Sequence, residues 1–196
     1  MTYPELTSQC KQCQKCELAK TRTNVVVGIG PVPCDLMLIG EAPGEQEDLT
    51  GEPFVGRAGK LLDQILNSVD FDRKTNVYIA NTVKCRPPGN RNPEPAEKLA
   101  CYPWLEEQIK LIQPKIILLC GAVSMSLAFP DNKLGITKMR GQWLRWHDCD
   151  VRVIFHPSYL LRNQSKEPGS PKWLTWQDMK EIKVAWEFFQ RIADGG

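Results

Sequence analysis

Residues 35–44 read DLMLIGEAPG, and this stretch decides the fold. Four consecutive apolar residues follow Asp35, which is typical of a β-strand that is buried on both faces. Gly40 ends the run, and Glu41 comes directly after it. Because ligands bind at the carboxyl ends of parallel strands, the stretch predicts a strand over 35–39 with a site residue at its exit.

Three further apolar runs predict strands of the same kind, at residues 77–81, 115–120 and 151–155. Apolar residues at helical spacing predict helices over 59–69 and 95–112. A short helix is expected after Gly121, and a last helix is expected at about 174–192. Strands that alternate with helices favour an α/β fold, a three-layer sandwich whose four-stranded, mostly parallel sheet is flanked by helices.

The length and composition of the chain favour one domain. The 196 residues are 42% hydrophobic, which is enough for one sizeable core, and no repeat or linker divides them. We therefore predict a single domain over residues 1–196. The first ten residues are polar, and no apolar run approaches the roughly 18 residues of a membrane span. These features favour a cytoplasmic monomer without a membrane partner.

Polar and basic residues follow the other predicted strands. Asn81 ends the second strand, and His156 follows the fourth. The loop after Asn81 carries basic residues and no acid, and a second basic run spans residues 133–145. The stretch from Glu41 to Glu52 carries five acidic residues and no basic one. Two basic loops beside a pocket formed by this acidic stretch could hold the phosphate backbone of a nucleic acid, although ordinary surface charge explains the same pattern.

Eight cysteines in a reducing compartment favour metal or cluster binding over disulfides. Cys13 and Cys16 form a Cys-x2-Cys pair, and Cys85 and Cys101 form a second, wider pair. Four thiolates fit a tetrahedral zinc ion or an iron-sulfur cube, and their spacing does not choose between the two. Cys10 adds another Cys-x2-Cys with Cys13, so spacing also leaves the N-terminal ligands open. The remaining three, Cys34, Cys120 and Cys149, are predicted to be small buried thiols.

Several long motifs, in this order, resemble the family 4 uracil-DNA glycosylases, the iron-sulfur branch of that superfamily. They are Cys13-x2-Cys16 with Val27-Gly28-x-Gly30, GEAPGEQED at 40–48, GEPFVGRAGKLLD at 51–63, NTVKCRPPGNRNP at 81–93 and HPSYLLR at 156–162. The resemblance runs through nearly the whole chain. It implies a DNA-repair enzyme that flips uracil out of single- or double-stranded DNA and hydrolyses its N-glycosidic bond. The loop after the second strand has no histidine, so ordinary turnover without a covalent product is expected.

The resemblance also implies roles for individual residues. Glu41 and His156 would be catalytic. The uracil-binding residues would be Glu41, Ala42, Pro43, Phe54, Asn81 and His156. The expected DNA contacts are Lys84, Arg86, Asn90, Arg91, Ser158 and Arg162. A structural 4Fe-4S cluster would be bound by Cys13, Cys16, Cys85 and Cys101, which leaves Cys10 as an extra thiol.

Two other classes of protein explain part of the same sequence. A nucleic-acid-binding module with a structural metal would need the basic loops and the cysteines, but it gives Glu41, Asn81 and His156 no reason to converge. A metal-dependent nuclease could use the acidic residues Glu41, Glu45, Glu47 and Asp48. These alternatives differ in product and in magnesium requirement.

Overall fold

Within residues 1–194, which the computed structural model describes, five strands form one sheet. They are β1 (Leu36–Gly40), β2 (Tyr78–Asn81), β3 (Ile116–Cys120), β4 (Trp143–Trp146) and β5 (Cys149–Ile154). Their order across the sheet is β2-β1-β3-β5-β4. The first four in that order are parallel, and β4 runs antiparallel to β5. The α/β class with a mostly parallel sheet is therefore confirmed.

The prediction of four strands was wrong by one, because β4 escaped it. β4 lies at the sheet edge, its side chains alternate between exposed and half-buried, and its sequence WLRW has no apolar run. His147 and Asp148 connect it to β5 with positive φ angles of 49° and 59°. Such angles suit the tight turns of β-hairpins, but they are more typical of Asn-Gly than of His-Asp. The sequence therefore carried no strong hairpin signal.

Helices cover both faces of the sheet. They are α1 (Tyr3–Lys11), α2 (Glu45–Thr50), α3 (Arg57–Asn67), α4 (Pro95–Ile112), α5 (Ala122–Ala128), α6 (Ile136–Met139), α7 (Pro157–Arg162) and α8 (Pro171–Asp194). The helix predicted at 95–112 has these same bounds. The helices that were not predicted are α1, α2, α6 and α7, and three of these have only four to six residues.

The two faces of β1 separate two cores. Met37 and Ile39 belong to one core, which includes residues of α4 and β5. Leu36 and Leu38 belong to the other, which includes residues of α3 and α8. This alternation follows from the two-residue period of a strand, and it produces the three layers that the sequence predicted.

A third, smaller core lies outside the sandwich and joins the N-terminal segment to the loop after β2. It contains Leu6 and Cys10 of α1 together with Val83, Cys85 and Cys101. None of the described helices combines the length and apolar character needed to cross a membrane. The single domain over 1–196 stays a prediction, and its last residues, 195 and 196, lie outside the described part of the chain.

Gly59 permits a close approach that positions the site. A Cβ atom at Gly59 would lie 1.9 Å from the carbonyl oxygen of Phe54. Gly59→Ala should therefore lower the free energy of unfolding by about 1–3 kcal/mol, the usual cost of overpacking. Helix propensity alone would predict the opposite sign. Urea unfolding measures the change, and Gly135→Ala, which has open space around it, is the matched control. Equal stability of the two variants would contradict the close contact.

Candidate active site and cysteine cluster

Polar residues from separate segments meet at the carboxyl edge of the sheet. Gly40 and Asn81 are register partners at the ends of β1 and β2, and Glu41 follows Gly40 directly. His156 stands at the exit of β5, where a Cβ atom on Gly121 would lie 3.1 Å from the His156 Cβ. The parallel sheet therefore brings the predicted carboxylate, amide and imidazole to one edge.

Phe54 completes a wall of the site. A Cβ atom at Gly40 would lie 2.5 Å from both the Phe54 ring and the Asn81 Oδ1, so these two groups meet where Gly40 has no side chain. The centroids of the Phe54 and His156 rings are 5.7 Å apart, with an interplanar angle of 35°. Phe54, Asn81 and His156 are thus contiguous, as a base-binding surface requires.

The side-chain amide of Asn81 has an oxygen without a hydrogen-bond partner among the described residues, as do a few other buried side chains, but Asn81 alone of these lies at the carboxyl edge of the sheet beside Phe54. Asn81 is 2% exposed, and its Oδ1 is buried without a hydrogen bond. Leaving a buried polar group unsatisfied costs about 1–3 kcal/mol. A ligand that supplies a donor to Oδ1 would recover that cost, which is consistent with the predicted base-binding role of this amide.

His156 is held in a defined tautomer at the start of α7. Its Nδ1 accepts a hydrogen bond from the backbone N–H of Ser158 at 3.2 Å, and the Ser158 hydroxyl lies 2.8 Å away. Since Nδ1 acts as the acceptor, the proton of a neutral ring is on Nε2. Burial lowers the pKa of His156 to about 4, and the nearby Arg162 adds to this effect. The imidazole is therefore neutral at pH 7 with an N–H available to donate.

Glu41, Ala42 and Pro43 form the segment that leaves β1. Burial raises the pKa of the Glu41 carboxyl, and the positive charge of Lys98 opposes that change. The backbone carbonyl of Glu41 accepts hydrogen bonds from the Thr82 hydroxyl and from the Val83 N–H. Ala42 is half-buried and Pro43 is buried. The segment is therefore fixed to the exit of β2.

The remaining acidic residues of this region have other contacts. The Glu47 carboxylate accepts from the backbone N–H groups of Gly44, Val55 and Gly56, and Asp48 accepts from those of Thr23 and Asn24. Within the described chain, no three His, Cys, Asp or Glu side chains form a group that could hold a metal ion. These contacts give the metal-dependent nuclease no support.

The predicted DNA contacts fall into two groups. Arg86, Asn90 and Arg91 lie in the loop after β2, where the Arg86 Nε donates to the Asn90 Oδ1 at 2.7 Å. Asn90 and Arg91 are exposed, although the Arg91 guanidinium also binds both oxygens of Glu97 at 2.9 and 2.7 Å. Ser158 and Arg162 lie on α7, and Arg162 is exposed. The two groups follow the carboxyl ends of β2 and β5, respectively.

Lys84 was wrongly assigned to DNA contact. Its side chain is 1% exposed, and its ammonium donates to the Asn81 carbonyl oxygen at 2.7 Å. A buried ammonium cannot reach a backbone phosphate. Two residues of the second basic run, 133–145, are also engaged in ion pairs. Arg140 pairs with Asp178 at 2.6 Å, and Arg145 pairs with Asp150 at 2.6 Å. Asp178 lies 38 residues from Arg140, so charge patterning could not reveal that pair, whereas Asp150 lies five residues after Arg145, just beyond the end of the basic run.

The cysteines of the two predicted pairs lie around one cavity, although within the described residues no three of them are grouped as the ligands of a single metal ion would be. Cys13, Cys16, Cys85 and Cys101 line one small cavity, and Cys10 lines it too. Nitrogen donors reach three of the sulfur atoms, each at 3.3 Å: Arg22 Nη1 to Cys85, the Lys84 backbone N–H to Cys101, and Trp104 Nε1 to Cys13. Such donors stabilise thiolates. By contrast, Cys34, Cys120 and Cys149 are buried in the sheet region, as predicted.

Sequence reasoning missed Arg22 and Arg73. Arg22 donates to the Cys85 sulfur and to the Cys13 carbonyl oxygen, while Arg73 donates to the carbonyl oxygens of Pro53 and Phe54. Both arginines lie outside the polar strand exits on which the predictions were based. Nothing in their local sequence distinguishes them from surface arginines.

Residues 27–180 match the model of the Uracil DNA glycosylase superfamily. A type-4 uracil-DNA glycosylase of Thermotoga maritima is 47% identical over 163 residues, covering 83% of this chain and 84% of that protein. Another, of Saccharolobus solfataricus, is 40% identical over 183 residues, covering 92% of this chain and 84% of that protein. A third, of Sulfurisphaera tokodaii, is 42% identical over 174 residues, covering 87% of this chain and 79% of that protein.

The chain therefore belongs to the uracil DNA glycosylase superfamily, and within it to the type-4 uracil-DNA glycosylases.

The state of His156 can be measured directly. Nitrogen NMR of the histidine ring should show the neutral Nε2–H form near pH 7 and a titration midpoint of about 4. Because the positive charge of Arg162 lowers this pKa, Arg162→Gln should raise the midpoint. Lys133→Gln, a loss of charge at an exposed position of another segment, is the control and should leave it unchanged. A wild-type midpoint near 6.5 would contradict the buried, neutral ring.

Proposed function

We propose that this protein excises uracil from DNA by hydrolysing the bond between uracil N1 and the sugar C1′, which leaves an abasic site. The observation that carries the proposal is the unpartnered, buried amide of Asn81 beside the rings of Phe54 and His156. An Asn amide offers an acceptor and a donor side by side, and these match the N3–H and O4 of uracil. Cytosine has the opposite pattern at that edge.

The base must leave the DNA stack to reach this edge of the sheet. Flipping costs a few kcal/mol, and less for a mismatched or single-stranded base. Stacking on Phe54 and hydrogen bonds to Asn81 would offset this cost, while Ala42 and Pro43 would border the base. We assign backbone contacts to Arg86, Asn90, Arg91, Ser158 and Arg162, which would neutralise or bind phosphates on either side of the flipped nucleotide.

Glycosidic cleavage separates charge, and the site has groups suited to both ends. As the bond breaks, the sugar becomes positive and uracil becomes negative. We assign the Nε2–H of His156 to donate to the uracil O2 as negative charge develops there. The Glu41 carboxylate would stabilise the sugar cation or orient the water whose oxygen bonds to C1′. The uracil anion finally takes up a proton, so the products are free uracil and an abasic sugar.

We further propose that Cys13, Cys16, Cys85 and Cys101 bind a structural 4Fe-4S cluster. The shared cavity, the three N–H donors to sulfur and the nearby positive charges of Arg22 and Lys84 fit a negatively charged thiolate cluster. When bound, the cluster supplies cross-links between the N-terminal segment, the loop after β2 and α4, and Cys10 is left as an extra thiol.

The proposal includes a single-domain monomer that acts on single- or double-stranded DNA in the cytoplasm. No disulfide joins any of the eight cysteines in the described chain, which suits a reducing compartment.

The function is tested with uracil-containing oligonucleotides in EDTA. The wild type should produce abasic sites without a divalent ion, detected as strand breaks after alkali. A nuclease would stop in EDTA, and a binding module would give no product.

Replacement of His156 tests the assigned donor. His156→Ala should slow single-turnover excision by roughly two to three orders of magnitude, as does removal of an oxyanion donor in other enzymes. The affinity for DNA without uracil should be retained, which gel-shift titration can establish. A wild-type excision rate in this variant would remove His156 from the mechanism.

Replacement of a cysteine tests the cluster. Cys85→Ala should lose bound iron and visible absorbance and should lower the unfolding temperature, because the loop after β2 loses its cross-link. Cys120→Ala, on β3, is the matched control and should keep its iron. A wild type that is colourless and loaded with zinc would overturn the cluster proposal.

A further inference from the structure

Phe54 adopts a backbone conformation that its side chain does not favour. Its φ angle is 53°, in the left-handed region that residues with a Cβ atom rarely occupy. Such a conformation persists only where the surroundings fix it. The peptide groups on both sides of Phe54 should therefore have strong partners, and two charged side chains supply them.

Arg73 holds the carbonyl side of this segment. Its Nη1 donates to the Pro53 carbonyl oxygen at 2.6 Å, and its Nη2 donates to that of Phe54 at 2.9 Å. The Nε of the same guanidinium donates to Asp63 of α3 at 2.8 Å. The Arg73 side chain is 11% exposed. The guanidinium is therefore held between α3 and the backbone that carries Phe54.

Glu47 holds the backbone N–H groups that follow Phe54. Its Oε1 accepts from the backbone N–H groups of Val55 and Gly56, both at 2.9 Å, and its Oε2 accepts from that of Gly44 at 3.1 Å. The adjacent Asp48 is 4% exposed and accepts from the backbone of Thr23 at 2.9 Å. Asp48 thus fixes α2 to the N-terminal segment, and this holds the helix that carries Glu47 in place.

We propose that Glu47 and Arg73 are positioning residues that fix the ring of Phe54 for stacking on the flipped base. A cation binds the carbonyl oxygens and an anion binds the N–H groups, so each charge meets the matching end of the peptide dipoles. Both residues hold the backbone of Phe54 and act on the base through its ring. This role rests on the proposed function, because it concerns the uracil-binding ring.

The proposal predicts that replacing Glu47 or Arg73 weakens the binding of uracil only while the Phe54 ring is present. Phe54→Ala should weaken inhibition by free uracil roughly tenfold to a hundredfold, which corresponds to the usual value of a base–aromatic stack. Glu47→Ala and Arg73→Met should each also weaken inhibition by free uracil. In the Phe54→Ala background, either change should add less than twofold, so the double-mutant cycles are strongly non-additive.

Milder variants and controls separate positioning from other causes. Glu47→Gln keeps an oxygen for Val55 and Gly56 and should restore most of the affinity that Glu47→Ala loses. Glu47 also raises the pKa of His156. A loss equal in Glu47→Gln and Glu47→Ala would assign the effect to charge and overturn the proposal. Glu52→Gln and Lys74→Gln, at exposed neighbouring positions, should match the wild type.

The outcomes are distinct from those of the functional test. If Glu47→Ala or Arg73→Met fails to fold, Glu47→Gln and Arg73→Lys enter the same cycles, with circular dichroism to verify folding. Losses that are additive with Phe54→Ala, in an enzyme that excises uracil, overturn the positioning role alone. A wild type that excises no uracil overturns the proposed function, and the positioning role is overturned with it.

Discussion

Gly40 has no side chain, and the candidate site depends on that absence. A single Cβ atom there would lie 2.5 Å from both the Phe54 ring and the Asn81 amide, so any larger residue would separate them. Gly40 is also the last residue of β1, which pairs with β2 on one side and β3 on the other. The close contact is therefore built at the carboxyl end of an inner strand, where the neighbouring strands hold it in place.

Burial determines the chemistry available at this edge. It lowers the pKa of His156 and raises that of Glu41, and the buried Asn81 Oδ1 has no hydrogen-bond partner among the described residues. A neutral imidazole with its Nδ1 occupied by Ser158 presents one N–H and no net charge. Such a group suits a ligand on which negative charge develops, because the low local dielectric strengthens a fixed donor.

The cysteine region and the candidate active site share backbone segments. The loop after β2 begins at Asn81 and contains Cys85, and the Lys84 ammonium donates to the Asn81 carbonyl oxygen. On the other side, Arg22 donates to the Cys85 sulfur, while the next residue, Thr23, is held by Asp48 of α2. Two short connections thus link the cysteines to the strand exits. A group that orders the cysteines would also order the segments that carry the site.

The sequence by itself determined the α/β class, four of the strands, the helix at Pro95–Ile112 and the residues at the strand exits, because apolar runs and glycine positions are local signals. Only the tertiary structure decided which charges are free. Lys84 is buried, Arg140 and Arg145 are paired with acids, and Glu47 and Arg73 hold the backbone around Phe54. The edge strand β4 was likewise set by its pairing with β5. Burial, edge pairing and contacts such as that of Arg140 with Asp178 are set by the packing of the whole chain, so a local sequence pattern does not reveal them.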